Sequence, residues 1–419
     1  MMGEYFQNLV EGLEAKLAAS DPARDTTARK RLALEVARLG VRLYSGDETV
    51  AWCGVLAPFD LLGAMGITPC FVEFVGAMVA SMEGARYALE VAEEAGFASE
   101  SCGFHRAISG AAKAELMPKP DILIATSMPC TGGMAVIENL AKLYEKDLFV
   151  LHVPPRHDDR AVAYLADQLR AMTDFVSAHT GRPLDRDAVR EAMVRTNRAR
   201  EALVETYELA RRVPTPARPR DLFNFAIVFS VLLGTEAGVE VAERYRDELA
   251  RKVDAGVAGV PGEQLRLLWI QNRIQFKTEL ERLLAEEHKA AVVIDELNDV
   301  PWDPIDPDEP YEGLARRMLS FSLCGEVTQR IETLKRLARD YQVDGAINPC
   351  HWGCRQGTGA RGLVEEGLKS AGVPVLNLEV DCIDARNFSE GQLRTRLEAF
   401  VELLQARKAS RGLQTDVQG

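Results

Sequence analysis

Residues 343–354 have the sequence VDGAINPCHWGC, in which a short apolar run leads directly into two cysteines, a histidine and a tryptophan. The apolar part, Val343 to Ile347, is typical of a buried strand, and the part after it is typical of a loop. In an open α/β sheet, ligands bind beyond the carboxyl ends of the strands. The segment therefore predicts a sheet strand with a functional site at its end.

Other apolar strands alternate with helices on the N-terminal and C-terminal sides of this segment, which predicts parallel sheets. The predicted strands are 49–55, 120–125, 147–153, 265–270, 290–295, 343–347 and 374–380. Four amphipathic helices are predicted between the two groups of strands, at 158–178, 185–212, 219–233 and 236–253.

We therefore expect an α/β fold with two parallel-sheet domains and a helical segment between them. The expected parts are an N-terminal helical segment (1–45), a first α/β domain (46–158), a helical segment (159–261), a second α/β domain (262–408) and a flexible tail (409–419).

The 419-residue chain is acidic, with a formal net charge of -13 and a pI of about 5.2. Such a surface offers no basic field for nucleic acid or an anionic membrane, so neither is an expected partner. No uninterrupted run of about 18 apolar residues is present, so no membrane span is expected. Residues 1–20 lack the basic-then-apolar pattern of a signal peptide. We therefore expect a mature N-terminus and a cytoplasmic protein.

Eight cysteines occur in the chain, and disulfides are not expected in a large acidic protein without a signal peptide. Buried thiols or metal ligands are the better interpretations. Cys102 and Cys130 each lie just before a predicted helix. Cys350 and Cys354 lie just after a predicted strand. At a helix start, free backbone N–H groups and the helix dipole favour thiolate, the form that binds metal.

Three kinds of site fit these thiols. A closed zinc site needs close cysteine pairs, and only Cys350 and Cys354 approach that spacing. A Cys–His nucleophile would use Cys350 and His351, although neighbours in sequence need not face each other. An iron–sulfur cluster could take distant ligands, and three thiolates would leave one iron open. Spacing alone leaves all three open.

The local sequences around the cysteines resemble the cluster-binding segments of the 2-hydroxyacyl-CoA dehydratase and benzoyl-CoA reductase family. The segments are CGF at 102–104, PCTGGM at 129–134, and VDG at 343–345 with Cys354 nine residues after Gly345. The stretch 381–396, which contains DARNFS, resembles the family's C-terminal signature, and PFDL at 58–61 resembles an N-terminal segment. The resemblance extends from about residue 49 to residue 404.

The resemblance implies a 4Fe-4S cluster held by Cys102, Cys130 and Cys354 between two flavodoxin-like domains. It implies a paralogous second subunit, or a second copy of the chain, and an ATP-hydrolysing activator that carries its own cluster. The chain has no G-x-x-x-x-G-K-[ST] loop with which to perform that hydrolysis itself. The implied reaction is elimination of water from a 2-hydroxyacyl-CoA through a ketyl radical.

The resemblance also suggests further site residues. Asp60 stands where the family often has glutamate, so it is a candidate acid–base residue, although a helix-start carboxylate is the simpler interpretation. His351 could hydrogen-bond a cluster sulfide or the substrate, or act structurally. The count from Gly345 favours Cys354 as the ligand, with Cys350 as the alternative, and Cys324 could lie close to the cluster.

The remaining residues near these motifs are expected to be structural. Trp352 is expected to pack, and Arg386 to fix the loop after the last strand. The three other cysteines, Cys53, Cys70 and Cys382, are interpreted as core residues.

Two other functions compete with the dehydratase. One is a subunit of a benzoyl-CoA-type ring reductase, in which electrons remain in the aromatic ring. The other is a non-catalytic, cluster-bearing partner that passes electrons to a paralogous subunit.

Overall fold

The computed structural model describes residues 2–21, 26–222 and 228–417. It contains two four-stranded parallel sheets, as the sequence predicts. The first sheet consists of β1 (Thr49–Cys53), β2 (Ile67–Phe71), β3 (Ile122–Thr126) and β4 (Asp147–Leu151), in the order β2-β1-β3-β4. The second consists of β5 (Leu265–Trp269), β6 (Ala290–Asp295), β7 (Gly345–Asn348) and β8 (Val375–Asn377), in the order β6-β5-β7-β8.

The two sheets share one topology. In each, the first strand pairs with both the second and the third, as Ala51 and Trp52 of β1 pair with β2 and β3. The winding direction therefore reverses between β1 and β3, and again between β5 and β7. Such a reversal opens a crevice beyond the carboxyl ends of the strands, where ligands bind in α/β proteins.

Helices precede, cover and connect the sheets. The helices before and around the first sheet are Met2–Ala18, Ala28–Leu43, Phe59–Ala64, Val72–Ser81, Ala85–Glu94, Gly103–Lys113 and Thr131–Tyr144. The connecting helices are Asp159–Thr180, Arg186–Ala210, Pro219–Leu222 and Glu236–Asp254. The helices around the second sheet are Leu280–Arg282, Pro310–Leu319, Val327–Asp340, Arg355–Thr358, Arg361–Ser370 and Glu390–Val417. Across the part of the chain that the structure describes, no helix combines the length and apolar character needed to cross a membrane.

The structure corrects several predicted elements. The sequence prediction missed β2, which contains Pro69. Proline cannot donate to a sheet, but β2 is an edge strand that pairs with β1 alone, and an edge strand tolerates it. The helix predicted after β5 is mostly irregular, and its ordered part is limited to short turns between Leu280 and Glu287.

Other boundaries also differ from the prediction. The helix predicted at 219–233 is helical at Pro219–Leu222 and forms a single turn at Ser230–Leu232, while 223–227 lie outside the described residues. The last helix continues to Val417, past the predicted end at residue 408. The flexibility of residues 409–419 stays a prediction.

One hydrophobic core extends through both sheets and the helical segment. It includes Ile122 from the first sheet, Leu165 and Leu203 from the connecting helices, and Leu268 from the second sheet. The strands are apolar on both faces because helices cover both sides of each sheet. The connecting helices therefore fix the position of one sheet relative to the other.

Arg106 joins the two α/β domains through a buried ion-pair network. Its side chain lies on helix Gly103–Lys113 and is 1% exposed. Its guanidinium donates to Asp381 Oδ2 and to Asp384 Oδ2, both at 3.2 Å, and to Glu93 Oε1 at 2.6 Å. Arg386 donates to Asp384 and to Glu93 as well, so it fixes the loop after β8, as expected. We call these five residues the interdomain clasp.

Arg106→Ala should destabilise the protein strongly, because it leaves Asp381 buried without a cation and leaves Asp384 with Arg386 alone. We expect a loss of about 3–5 kcal/mol in the free energy of unfolding. Urea denaturation followed by circular dichroism measures it.

The matched control is Arg86→Ala, because Arg86 pairs with Glu90 at 2.8 Å while its own side chain is 77% exposed. This change should cost less than about 1 kcal/mol. Equal unfolding midpoints for the two variants would show that the clasp contributes no more than a surface ion pair.

Candidate functional site

Three of the predicted cysteines line one cavity between the two domains. Cys102, Cys130 and Cys354 each occupy the position immediately before a helix, and all three face a cavity of about 290 Å³. Cys130 follows β3 and Cys354 follows β7, so the carboxyl ends of both sheets contribute to it. We call this space the cysteine cavity.

Glycines allow the loops that carry these cysteines to approach closely. Gly353 has a φ of +69°, and a Cβ built on it would lie 2.3 Å from the backbone nitrogen of Cys102. A Cβ on Gly132 would lie 2.8 Å from His105 Cε1 and 3.4 Å from Cys130 Sγ. Any larger residue would push these loops apart, and so the glycines set the spacing of the thiols.

Burial makes the free thiols weak acids. It raises the pKa of Cys102 well above its usual value, and a charge on Cys354 would raise it further. Burial also raises the pKa of Cys354, and a charge on Cys130 adds to that effect. Burial thus outweighs the backbone N–H groups at these helix starts, and the free thiols are protonated instead of forming the thiolates that the sequence predicts.

His351 is held as a hydrogen-bond donor to Cys102. It is fully buried, and its Nδ1 accepts a hydrogen bond from the backbone N–H of Cys382 at 2.9 Å. A neutral imidazole that accepts at Nδ1 carries its proton on Nε2. Nε2 lies 3.2 Å from Cys102 Sγ, so it donates to that sulfur. Burial lowers the pKa of His351, with Asp381 opposing the shift, which keeps the ring neutral.

Gln271 supplies a second donor, to Cys354. It follows β5 with a φ of +64°, and its Nε2 donates to Cys354 Sγ at 3.1 Å. Its backbone N–H donates to Glu296 at 3.0 Å, and Glu296 forms a buried ion pair with Arg330. The prediction missed Gln271, although its place directly after a predicted strand was an available signal.

Glu73 is the other cavity residue that the prediction missed. It lies at the start of helix Val72–Ser81, directly after β2, and lines the cysteine cavity. Its Oε2 is buried and has no hydrogen-bond partner among the described residues. Burial raises its pKa to about 7, and the backbone N–H groups of Glu73 and Val55 only partly oppose this.

Asp60 lies away from the wall of the cysteine cavity and is fully engaged. It is buried in the first turn of helix Phe59–Ala64, as a helix-start carboxylate. Arg317 donates to both of its oxygens, at 2.6 and 2.8 Å, and Thr196 Oγ1 donates to Oδ2 at 2.9 Å. Burial opposes its ionisation, but Arg317 outweighs burial and keeps the pKa of Asp60 below its usual value. Its position suits a structural anion better than a proton donor.

The other thiols lie away from the cavity wall. Cys350 is buried, and its thiol donates to Asn377 Oδ1 at 3.3 Å, whereas Cys354 faces the cavity. Cys324 is buried, and its carbonyl accepts from His157 at 2.9 Å. The cysteines interpreted as core residues are buried in three separate hydrophobic clusters: Cys53, Cys70 and Cys382.

The prediction that Trp352 packs is wrong, because its side chain is exposed, with 40% of its surface accessible. The tight contact of Gly353 with the Cys102 loop gives the physical reason. The loop turns inward at His351, which is buried, and Trp352 is left on the outside beside the exposed Gly353.

The arrangement of these thiols differs from that of a single-ion site. Within the residues that the structure describes, no group of three or more His, Cys, Asp or Glu side chains converges as the ligands of one metal ion would. A closed zinc site needs such convergence. Three thiolates that each bind a different iron of a cluster need not meet at one point, and the cysteine cavity leaves space between them. Cys102, Cys130 and Cys354 are thus the residues that could hold a cluster in this cavity.

Comparison with known proteins identifies relatives over most of the chain. The sequence model of the family described as 2-hydroxyglutaryl-CoA dehydratase, D-component, matches residues 55–404. The alpha subunit of lactoyl-CoA dehydratase from Anaerotignum propionicum is 25% identical, over 96% of this chain and 99% of that protein. The (R)-phenyllactyl-CoA dehydratase alpha subunit of Clostridium sporogenes is 23% identical, over 86% and 91%. A benzoyl-CoA reductase subunit of Thauera aromatica is 25% identical, over 77% and 81%.

Gly353→Ala should destabilise the site more than the positive φ alone explains. The φ costs about 1–2 kcal/mol, and the contact with the Cys102 backbone should add about 1–3 kcal/mol of overpacking. The thermal unfolding midpoint measures the combined effect.

Gly46→Ala is the control for this change, since Gly46 has a φ of +80° and nothing within 4 Å of the added Cβ. It should show the cost of the φ alone. If both variants lost the same stability, the loop contact would not constrain the site.

Proposed function

Because the chain belongs to the 2-hydroxyglutaryl-CoA dehydratase D-component family, we propose that it is the iron–sulfur subunit of an activator-dependent 2-hydroxyacyl-CoA dehydratase. The observation that carries the proposal is that Cys102, Cys130 and Cys354 line the same cavity between the two domains. The reaction is elimination of water from a 2-hydroxyacyl-CoA, in line with the names of the lactoyl-CoA and phenyllactyl-CoA relatives.

The three cysteine thiolates would hold a 4Fe-4S cluster, with Cys354 preferred over Cys350 because its thiol faces the cavity. When bound, such a cluster supplies one-electron chemistry and, at an iron without a cysteine, Lewis acidity. His351 and Gln271 donate hydrogen bonds to the sulfurs of Cys102 and Cys354. Donors to ligand sulfurs reduce their negative charge, which favours the reduced state.

The cavity wall suits a thioester that must be kept from water. Phe71, Phe74, Leu297 and Phe321 form an apolar part of it. Apolar walls exclude solvent from a reactive intermediate and strengthen the polar contacts that remain. In this assignment His351 is a positioning residue for Cys102, since both of its ring nitrogens are already engaged.

The proposal includes partners. The relatives named as alpha subunits and the D-component description support a second, paralogous subunit. An ATP-hydrolysing iron–sulfur activator would supply the low-potential electron, and the complex would act in the cytoplasm. A benzoyl-CoA-type reductase is the second candidate, favoured by the relative from Thauera aromatica.

Cys354→Ala should remove the cluster, whereas Cys350→Ala should retain it. For protein purified without oxygen, we expect iron and acid-labile sulfide of Cys354→Ala to fall severalfold below wild type, with activator-dependent turnover lost. The Cys350→Ala variant, a matched loss of one thiol four residues away, should keep its iron and its EPR signal. Wild-type protein that is colourless and free of acid-labile sulfide would refute the proposal, and full turnover in Cys354→Ala would indicate a non-catalytic electron-transfer partner.

The number of electrons consumed separates the two candidate reactions. A dehydratase returns its electron, so each one delivered by the activator should support many turnovers of (R)-lactoyl-CoA or (R)-phenyllactyl-CoA. A ring reductase keeps its electrons in the product, and so benzoyl-CoA would consume them stoichiometrically. Product formation per electron, measured with a limiting reductant, distinguishes the two.

A further inference from the structure

Glu73 is a carboxyl group in the cysteine cavity with an unused oxygen. Its Oε2 is buried and unpartnered among the described residues, and its side chain lines the cavity. Asp60, in contrast, has both oxygens bound by Arg317 and is absent from the cavity wall. Of these two carboxyl groups, Glu73 is the one that lines the cysteine cavity and keeps an oxygen without a protein donor among the described residues.

The surroundings of Glu73 oppose an unpaired charge. Phe71 and Phe74 flank it in the cavity wall, and a buried acceptor without a donor is costly. Either a ligand supplies a donor, or the carboxyl group carries a proton. A second unpartnered acceptor, Gln271 Oε1, lies so close to Gly357 that a Cβ there would be 2.4 Å away, so it is less open to a ligand.

The two candidate substrates differ in whether they offer Glu73 a hydrogen-bonding group. A 2-hydroxyacyl group has an O–H at C2 that can both donate to a carboxylate and accept from a carboxylic acid. A benzoyl ring has no such group. Because burial raises the pKa of Glu73 to about 7, both its protonated and its ionised forms are populated near neutral pH. His105, which also lines the cavity, is less suited to proton transfer, because burial lowers its pKa to about 4.

We propose that Glu73 is a catalytic residue that contacts the C2 hydroxyl of the bound thioester and protonates it as it leaves. This inference rests on the proposed dehydratase function and assigns that site a 2-hydroxyacyl substrate. It moves the acid–base role from Asp60 to Glu73.

The step balances in atoms and electrons. The C2–O bond breaks with its electron pair on oxygen, and the proton of the Glu73 carboxyl group completes a water molecule. The carboxylate regains a proton from C3 as the C2–C3 double bond forms. The one electron that primes the thioester comes from the iron–sulfur activator and returns at the end, so the net change is loss of water.

A binding cycle tests the contact without turnover. Wild type and Glu73→Leu, in the complex with the second subunit and without activator, are titrated with two pairs of thioesters. Each pair consists of a 2-hydroxyacyl-CoA and its counterpart without the hydroxyl: (R)-lactoyl-CoA with propionyl-CoA, and (R)-phenyllactyl-CoA with 3-phenylpropionyl-CoA. For at least one pair, wild type should prefer the hydroxyl form, and Glu73→Leu should reduce that preference about tenfold. An unchanged ratio for both pairs, or no binding of either hydroxyl form by wild type, overturns the inference.

Turnover of Glu73→Gln tests the proton transfer. This variant keeps the shape of the side chain but cannot give a proton, so kcat should fall at least about 100-fold. Its KM should change only a few-fold, and its iron and sulfide content should equal that of wild type. The control is Glu138→Gln, the same change at an exposed position of helix Thr131–Tyr144, which should retain wild-type kcat.

The outcomes separate this inference from the proposed function. A clustered, active wild type whose Glu73→Gln variant keeps more than half of its kcat leaves the dehydratase intact and refutes the role of Glu73. A wild type without a cluster refutes the dehydratase by its iron content, while the binding cycle still decides whether Glu73 contacts a substrate hydroxyl. Loss of iron from Glu73→Gln itself would show a structural role and would also refute the inference.

Discussion

The candidate site depends on one buried cation of the first domain that binds an acidic loop of the second. Arg106 lies on the helix that Cys102 precedes, and its guanidinium binds Asp381 and Asp384 in the loop after the last strand. Asp381 in turn accepts hydrogen bonds from the backbone N–H groups of Ile383 and Asp384, and the backbone N–H of Cys382, the residue after Asp381, donates to His351. The ion pair therefore fixes the ring that donates to Cys102. Without that charge balance, the loop that orients His351 would lose its ion pairs with the helix that Cys102 precedes.

The cavity residues follow from the topology of both sheets. Glu73 follows β2, Cys130 follows β3, Gln271 follows β5 and Cys354 follows β7, so each of these strands ends toward the same space. Each sheet has a crevice beyond the carboxyl ends of its strands, where an α/β protein binds its ligand. In this protein the two crevices face each other. The continuous core through the helical segment holds them in that position. This explains how residues from distant parts of the chain can serve one chemistry.

The sequence predicts the parts of this site that carry a strong local signal. Apolar strands followed by cysteines placed Cys130 and Cys354, and a helix start placed Cys102. The sequence analysis missed Glu73 because it missed the preceding strand, β2, which contains Pro69. The pairing of β2 with β1 shows that it is an edge strand. Gln271 escaped because a glutamine has no metal-binding signature, and its role arises from a sulfur 83 positions away. The exposure of Trp352 depends on the close approach of two loops, which no local pattern encodes. What the sequence concealed is therefore one edge strand and the contacts between residues that are far apart in the chain.

The contact between Cys102 and His351 has a consequence for how the protein matures. These residues are 249 positions apart, and the clasp that orients them uses residues as late as Arg386. A ribosome releases the first cysteine loops long before the last one, and the N-terminal domain can fold before the rest is made. During that interval Cys102 and Cys130 lack both the third thiol and the histidine donor. The complete set of three thiols therefore exists only after synthesis and domain docking are nearly finished, and the proposed cluster would have to be inserted after chain completion.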